Sequence, residues 1–360
     1  MYAAREEQLR IRTWEMGLVH EAVLAIDRGE RGLTNLNSST PSLDPFVGMM
    51  HVHEPGSIVF AGHSFGSATT VQLLKSTYYA DHPALSTMKK APLFTPAEGS
   101  EIRRQITEKT VTILLDTWVT PLIDPGFAPL FDLPLPAYAD TPNAAGGKAI
   151  LSVLSDQFYK WHEHLRVTAR VLSPSPAHEI PTPSLYKRSD PSLPDFPEPN
   201  LFYVRESAHL SQSDFGILFP WLTKKMFSAV EPERAIRLNL RAQLQVLREN
   251  GIPIARTCAA DLVDGVVDGD EVFEEVRKGN GRGDSNDDRA ILDKSGDVHV
   301  GHWVRIDIVA LFTGSDSESE SLHAKESSDM NKERVEQSDE AMAQHLEPGL
   351  EGTAVVSATA

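Results

Sequence analysis

The amino-acid sequence predicts an α/β fold, in which a parallel sheet is flanked by helices. Two observations lead to this prediction. Four short apolar runs recur along the chain, and each has the length and composition of a strand that is buried on both faces. Stretches with helical spacing of apolar residues separate these runs, and such alternation is typical of parallel sheets covered by helices.

The predicted elements follow one another in a regular order. A long helix is predicted over residues 2–30, where apolar residues recur in near-helical spacing as far as DRGERG. The predicted strands are Ser57–Gly62, Val111–Leu115, Ala149–Leu154 and Leu201–Val204. Helices are predicted between them at Thr69–Leu74 and Asp156–Arg170. Two closing helices are expected after the fourth strand, in FGILFPWLTKKMF and ERAIRLNLRAQLQVLREN.

A serine lies between two glycines where the first predicted strand meets its helix. Gly62, Ser64 and Gly66 form the pattern G-x-S-x-G, which is preceded by the apolar residues Ile58, Val59 and Phe60. A sharp strand-to-helix turn of this kind calls for little bulk two positions before and after the serine. The Ser64 hydroxyl would then project from the carboxyl end of the sheet, above unpaired N–H groups at the helix start. Because the pattern also arises by chance, the strand before it and the helix after it carry the prediction of a nucleophile elbow.

Two further side chains have the positions that a serine nucleophile requires. Serine needs a histidine to accept its proton and a carboxylate to orient that histidine, and after a nucleophile elbow the carboxylate comes first in the chain. Asp116 ends the second apolar run in VTILLDTWVTPL, and His209 follows the fourth in ESAHLSQSDF. Taken singly, Asp116 is equally explained as a helix cap or loop acid, and His209 as a surface histidine. Their order and their places at strand ends favour a catalytic triad.

These motifs resemble those of the platelet-activating factor acetylhydrolases of the plasma and type II intracellular kind, which are calcium-independent serine lipases of the α/β-hydrolase superfamily. The resemblance rests on GHSFGSATTVQ, LLDTWVTPL, ESAHLSQSDF and the helix REEQLRIRTWEMGLVHEAVLAIDRGE, and it runs from about Arg5 to Phe227. It implies that Ser64 is the nucleophile, Asp116 the orienting acid and His209 the general base. It also implies that the Phe65 backbone N–H is one of two oxyanion donors, and that neither a cofactor nor a metal is required.

The reaction that the resemblance implies is hydrolysis of an acetyl, short or oxidised acyl group at the sn-2 position of a glycerophospholipid, through an acyl-enzyme. Trp118 and Phe158 are candidate walls of the acyl pocket, with plain core packing as the alternative. Two other functions stay open: a carboxylesterase acting on soluble short-chain esters, and a truncated, non-catalytic hydrolase-like scaffold.

The chain departs from the family in two ways. It begins at the helix before the elbow strand, so the α/β-hydrolase-like sheet is expected to comprise only the C-terminal half of the full fold. The loop that supplies the second oxyanion donor is then missing, and the elbow strand has an edge that is unpaired or covered by a partner or a rearrangement. The second departure is a pair of insertions, Pro83–Glu108 and the proline-rich excursion 173–200. Both are expected to be passive surface loops, with a lid or a lipid-facing rim as the alternative.

Composition limits the partners of the protein. The 360-residue chain has a formal net charge of −17, which argues against nucleic-acid binding because phosphate backbones require clustered Lys and Arg. The single cysteine, Cys258, excludes an internal disulfide framework. The chain as given shows neither a signal peptide nor a membrane-spanning run, so a cytoplasmic location is expected. The oligomeric state stays open.

Three further segments carry weaker signals. Phe219, Trp221 and Phe227, with Lys224 and Lys225 at the head groups, could make transient contact with a lipid surface, although packing on the sheet beside His209 is expected instead. The run Asp264–Glu275 resembles a calcium loop, but Val266 and Glu271 break the pattern, so no metal site is predicted. Residues 1–313 are predicted to form the hydrolase domain. Residues 314–360, with eleven Asp and Glu against three Lys and Arg, are predicted to be a disordered acidic tail.

Overall fold

A five-stranded sheet lies at the centre of the structure. The computed structural model describes residues 2–30, 43–227, 231–255, 288–294 and 300–313. The strands lie side by side in chain order, namely β1 (Phe60–His63), β2 (Thr112–Leu115), β3 (Ile150–Ser155), β4 (Asn200–Val204) and β5 (Trp303–Arg305). The first four strands are parallel, and β5 is antiparallel to β4. The α/β class and the four predicted strands are therefore confirmed, with shifts of up to three residues at the strand ends.

The fifth strand was not predicted from the sequence. It is only three residues long, which is too short for a period-2 pattern to stand out. Tertiary contacts hold it: the Trp303 ring stacks on Phe202 of β4 at 4.9 Å, and its indole N–H donates to the Ile291 carbonyl. By contrast, β3 and β4 are buried at every position, which is why they read as uninterrupted apolar runs.

Helices flank the sheet. They are α1 (Tyr2–Asp27), α2 (Phe65–Tyr78), α3 (Glu101–Gln105), α4 (Ala128–Phe131), α5 (Asp156–Tyr159), α6 (His162–Leu172), α7 (Phe215–Leu218), α8 (Pro220–Phe227), α9 (Pro232–Glu249) and α10 (Ala310–Thr313). The single helix predicted over Asp156–Arg170 is in fact divided into α5 and α6. Trp161 lies at the break and stacks on His164 at 4.4 Å, so aromatic packing outweighs the local helical preference there.

The proline-rich excursion contains one 3₁₀ turn, Pro183–Tyr186, and no α-helix or strand between residues 173 and 199. It does not run over the surface alone, as the sequence had suggested. Tyr186 and Phe196 are buried and meet the Tyr138 ring edge-on, at 6.3 and 5.5 Å. These rings anchor the excursion to the core, so a change in its length is tolerated only away from the two anchors.

Because β1, β2 and β4 are parallel, the chain segments that follow them lie at the same end of the sheet, where the carboxyl ends of the strands meet. Residue His63 is in register with Leu115, and Leu115 with Val153, so parallel strands end side by side. In the described part of the chain β1 pairs only with β2 and is the outer strand. Among the described residues, every helix is too short or too polar to cross a bilayer. The predicted acidic tail, the calcium-like loop and Cys258 lie outside the described residues.

Candidate active site

Ser64 occupies the turn between β1 and α2, with a backbone conformation that L-residues rarely adopt. Its φ and ψ are 56° and −123°. Such a conformation costs about 1–3 kcal/mol and persists only where the surroundings impose it. The surroundings here are hydrogen bonds: the Ser64 N–H donates to the Leu115 carbonyl at 2.9 Å, and the Ser67 hydroxyl contacts the Gly62 and Leu115 carbonyl oxygens at 2.6 and 3.0 Å. The predicted strand–serine–helix turn is thus present.

The two glycines of the pattern are not equivalent. A Cβ atom at Gly62 would lie 2.4 Å from the Gly66 carbonyl oxygen, so only glycine fits there. A Cβ atom at Gly66 would meet nothing within 4 Å among the described residues. The expectation that both positions must lack bulk is therefore wrong for Gly66, because the chain closes on itself only on the Gly62 side of the turn.

The three residues proposed from the sequence as a triad lie together. His209 Nε2 is 2.9 Å from Ser64 Oγ, and His209 Nδ1 is 3.0 Å from Asp116 Oδ2. His209 lies 145 residues after Ser64 and 93 residues after Asp116 in the chain, so the sheet brings the three side chains into contact. Asp116 is fully buried and His209 nearly so, which strengthens the electrostatic interaction between them.

The Asp116 carboxylate is held on both oxygens. Oδ1 accepts a hydrogen bond of 2.6 Å from the Ser155 N–H at the end of β3, which leaves Oδ2 facing His209. The backbone of Asp116 has a positive φ of 42°, and its N–H donates to the Val153 carbonyl. The end of β3 therefore fixes the direction in which Asp116 points, a role that the sequence pattern did not reveal.

Two rings stack on the His209 imidazole. Phe158 lies 4.7 Å from it at an interplanar angle of 16°, and His63 lies 4.5 Å from it at 30°. Phe158 is almost fully buried, so the packing alternative describes it better than an exposed pocket wall does. The Gln157 side-chain oxygen accepts the His209 backbone N–H at 3.1 Å. His63 and Gln157 were missed by sequence reasoning, although each is a direct neighbour of a residue already singled out.

Burial keeps two histidines of this region neutral. Desolvation by burial, together with the charge of the nearby His209, lowers the pKa of His63 from 6.5 to about 4. Desolvation likewise lowers the pKa of His164 to about 3, and His164 Nε2 accepts the Val119 N–H at 3.0 Å. His164 is thus a buried hydrogen-bond acceptor.

The low pKa values of these two histidines predict that the protein becomes less stable as the pH falls. Between pH 6.5 and 4, His63 and His164 become protonated in the unfolded chain but stay neutral in the folded chain. The free energy of unfolding therefore decreases as the pH falls. Each histidine adds a slope approaching about 1.4 kcal/mol per pH unit. Urea unfolding at pH 6.5 and 5 measures this slope, which is expected to decrease in His63→Phe and to stay unchanged in His51→Gln, an exposed site. Equal slopes in wild type and His63→Phe would contradict the prediction.

The N-terminus of α2 supplies a candidate oxyanion donor. Within the described ranges, neither a carbonyl nor a side chain accepts a hydrogen bond from the Phe65 N–H. This N–H belongs to the residue directly after Ser64 and lies at the positive end of a 14-residue helix. A negative oxygen formed on a substrate carbonyl bonded to Ser64 is therefore favoured at this end.

The same region holds a group of metal-ligand side chains. One ligand atom each of His63, Asp116 and His209 lies within 4.8 Å of the others. Asp116 and His209 already bond to each other, and His209 bonds to Ser64. Both ring nitrogens of His209 therefore already have a hydrogen-bond partner, as a proton relay from serine to histidine requires.

Trp118, the other candidate for the pocket wall, packs beside the serine. The Trp118 backbone N–H donates to the Ser64 carbonyl at 3.3 Å, and the indole ring lies 6.0 Å from the Phe65 ring. Comparisons with known proteins do not identify a family for the chain, because no family model and no curated protein matches it. The likeness to the platelet-activating factor acetylhydrolases therefore stays a prediction that rests on the quoted motifs.

Proposed function

We propose that this protein is a serine esterase in which Ser64, His209 and Asp116 form the catalytic triad. One observation carries the proposal: hydrogen-bond distances of 2.9 and 3.0 Å link the three side chains in the order nucleophile, base and orienting acid. A surface histidine would have no reason to be buried in contact with a strained serine, nor a loop acid to be buried in contact with that histidine. The strain itself supports a functional site, since it costs stability.

The proposed reaction proceeds in two halves. His209 Nε2 accepts the Ser64 hydroxyl proton while Oγ attacks the ester carbonyl, and the Asp116 carboxylate stabilises the imidazolium that forms. The oxyanion is stabilised by the Phe65 N–H. His209 then returns the proton to the departing alcohol oxygen, which leaves an acyl group on Ser64. Water attacks this acyl group with His209 again as the base, and the carboxylic acid and the free serine are released.

We propose a glycerophospholipid with an acetyl or short acyl group at the sn-2 position as the substrate. Support comes from the surface that follows His209 in the chain. Phe219 and Trp221 are 51% and 70% exposed, so they do not pack on the sheet as expected from the sequence. Lys225 lies over the Trp221 ring at 5.1 Å and Lys224 is exposed beside it. Exposed aromatic rings with adjacent lysines suit contact with a lipid surface.

Covalent labelling by a fluorophosphonate probe tests the proposed function. The purified chain is expected to be labelled, because the probe reacts with a serine that a neighbouring base activates. Ser64→Ala is expected to abolish labelling, whereas Ser86→Ala, at an exposed serine, is expected to leave it unchanged. Absence of labelling in folded wild-type protein, as judged by circular dichroism, would overturn the proposal. Hydrolysis of an acetyl-glycerophospholipid faster than a simple acetate ester would then support the lipid substrate.

A further inference from the structure

Two arginines of α1 lie over the aromatic rings beside the candidate nucleophile. The Arg12 guanidinium carbon is 4.7 Å from the centre of the Phe65 ring, and that of Arg5 is 4.8 Å from the Trp118 ring and 6.0 Å from Phe65. Phe65 directly follows Ser64 in the chain. The two charges therefore lie against the same rings that flank the serine.

Ion pairing within the described residues does not explain these arginines. Arg5 donates to the side-chain oxygen of Gln8, a neutral group, and neither Arg5 nor Arg12 forms an ion pair in the described part of the chain. The acids next to Arg5 have other partners, since Glu6 pairs with Lys90 and Glu7 with Arg10. Glu15, three residues after Arg12, does not pair with it in the described part of the chain.

The backbone of α1 holds the pair in place. Arg5 and Arg12 are seven residues apart, so they lie on one face of the helix, about 10.5 Å apart along its axis. Leu9 lies between them on that face and is fully buried in a cluster with Leu93 and Phe127, against which Phe65 also packs. A guanidinium that lies over a ring keeps N–H groups at its edge that can bind oxygen, and in Arg5 one of these groups donates to the neutral Gln8 side chain.

We propose that Arg5 and Arg12 bind an anionic oxygen group, a phosphate or a carboxylate, of the substrate whose ester reacts at Ser64. The inference rests on the proposed esterase function and adds a specificity-determining contact to it. Guanidinium groups bind both anions with two parallel hydrogen bonds, so the chemistry is shared. The phosphate would be that of a lipid head group, and the carboxylate that of an oxidised acyl chain.

Binding of inorganic phosphate tests the site without turnover. Calorimetric titration of the full chain is expected to show phosphate binding that weakens with added salt. Arg5→Gln with Arg12→Gln is expected to weaken it by about tenfold or more, the loss of charge-assisted hydrogen bonds. Arg10→Gln is the matched control, because Arg10 lies on the same helix but pairs with Glu7, and it is expected to change the affinity less than twofold. Equal binding by wild type and the double variant would overturn the proposal.

Paired esters show which anion is recognised. In the phosphate arm, a 1-alkyl-2-acetylglycerol is compared with the same lipid carrying a phosphate at sn-3. In the carboxylate arm, a butanoyl ester is compared with the glutaryl monoester of the same alcohol.

The double variant is expected to raise KM about tenfold for the anionic member of one pair, while kcat and the kinetics of the neutral esters stay unchanged. Lysine in place of glutamine at position 12, Arg12→Lys, is expected to restore part of the loss. An equal effect on neutral and anionic esters would reduce the arginines to a structural role. Phosphate binding without any turnover would instead refute the esterase function and leave the anion site standing.

Discussion

Replacing Asp116 by asparagine is expected to lower the rate of ester hydrolysis by on the order of 10⁴-fold while leaving the protein folded. The reason lies in the two hydrogen bonds of this side chain. The asparagine carbonyl oxygen can still accept the Ser155 N–H, which is the shorter of the two bonds at 2.6 Å. The amide NH₂ group then faces His209 Nδ1, where Asp116 Oδ2 now lies at 3.0 Å.

An amide at that position reverses the tautomer of His209. A donor facing Nδ1 requires Nδ1 to accept, so the imidazole proton moves to Nε2. Nε2 then donates to Ser64 Oγ and is unable to take its proton, which removes the base. The imidazolium formed during the reaction also loses its buried counter-charge. Rates with a soluble acetate ester measure the effect.

Asp156→Asn is the control for this exchange. Asp156 follows directly on β3, near Asp116, but its carboxylate pairs with Lys160 at 2.6 Å and not with His209. The control is expected to keep its rate within about twofold, since a partly exposed ion pair of this kind contributes little. Full activity in Asp116→Asn would show that Asp116 does not orient the base, even though it lies in contact with it.

The sequence predicted the strands and singled out the three residues of the proposed triad because both leave local marks. Fully buried strands appear as apolar runs, and a nucleophile elbow needs a glycine two residues before the serine. Asp116 and His209 were found because each follows an apolar run directly or within a few residues. The stacking of rings on His209 left no such mark, although Phe158 was a candidate for the pocket wall. Phe158 and His63 stack on His209 only because α5 and β1 end beside it, which depends on the whole sheet.

The face of α1 shows the same limit. The apolar spacing correctly predicted a helix, and Leu9 and Leu24 are buried as expected. Ile11, Trp14 and Leu18 belong to the same apolar pattern, yet they are exposed by 47–59%. Helical periodicity indicates that a stripe exists, but burial depends on which neighbours the fold brings to it. The side of α1 that carries Arg5 and Arg12 could therefore not be assigned before the structure.

The second large effect is expected from Gly62→Ala. The added Cβ would lie 2.4 to 2.5 Å from backbone atoms of Gly66 and Ser67, closer than real contacts allow. Backbone atoms cannot turn aside as a flexible side chain does, so the start of α2 has to move away from β1. That movement displaces Ser64 Oγ from His209 and the Phe65 N–H from the developing oxyanion. A displacement of about 1 Å at a reacting group costs on the order of 10²-fold in rate, and overpacking of this kind costs about 1–3 kcal/mol of stability.

Gly66→Ala separates this steric argument from a general effect of altering the glycine pattern. At Gly66 the added methyl group meets open space and φ is not positive, so alanine is expected to preserve both probe labelling and stability. Alanine is also the better helix former at this position in the first turn of α2. Labelling rates and urea unfolding of both variants measure the contrast. If Gly62→Ala kept the wild-type labelling rate, the close approach of β1 and α2 would not be what positions Ser64. If Gly66→Ala lost labelling but kept its stability, the added methyl group would have to block the reacting probe itself.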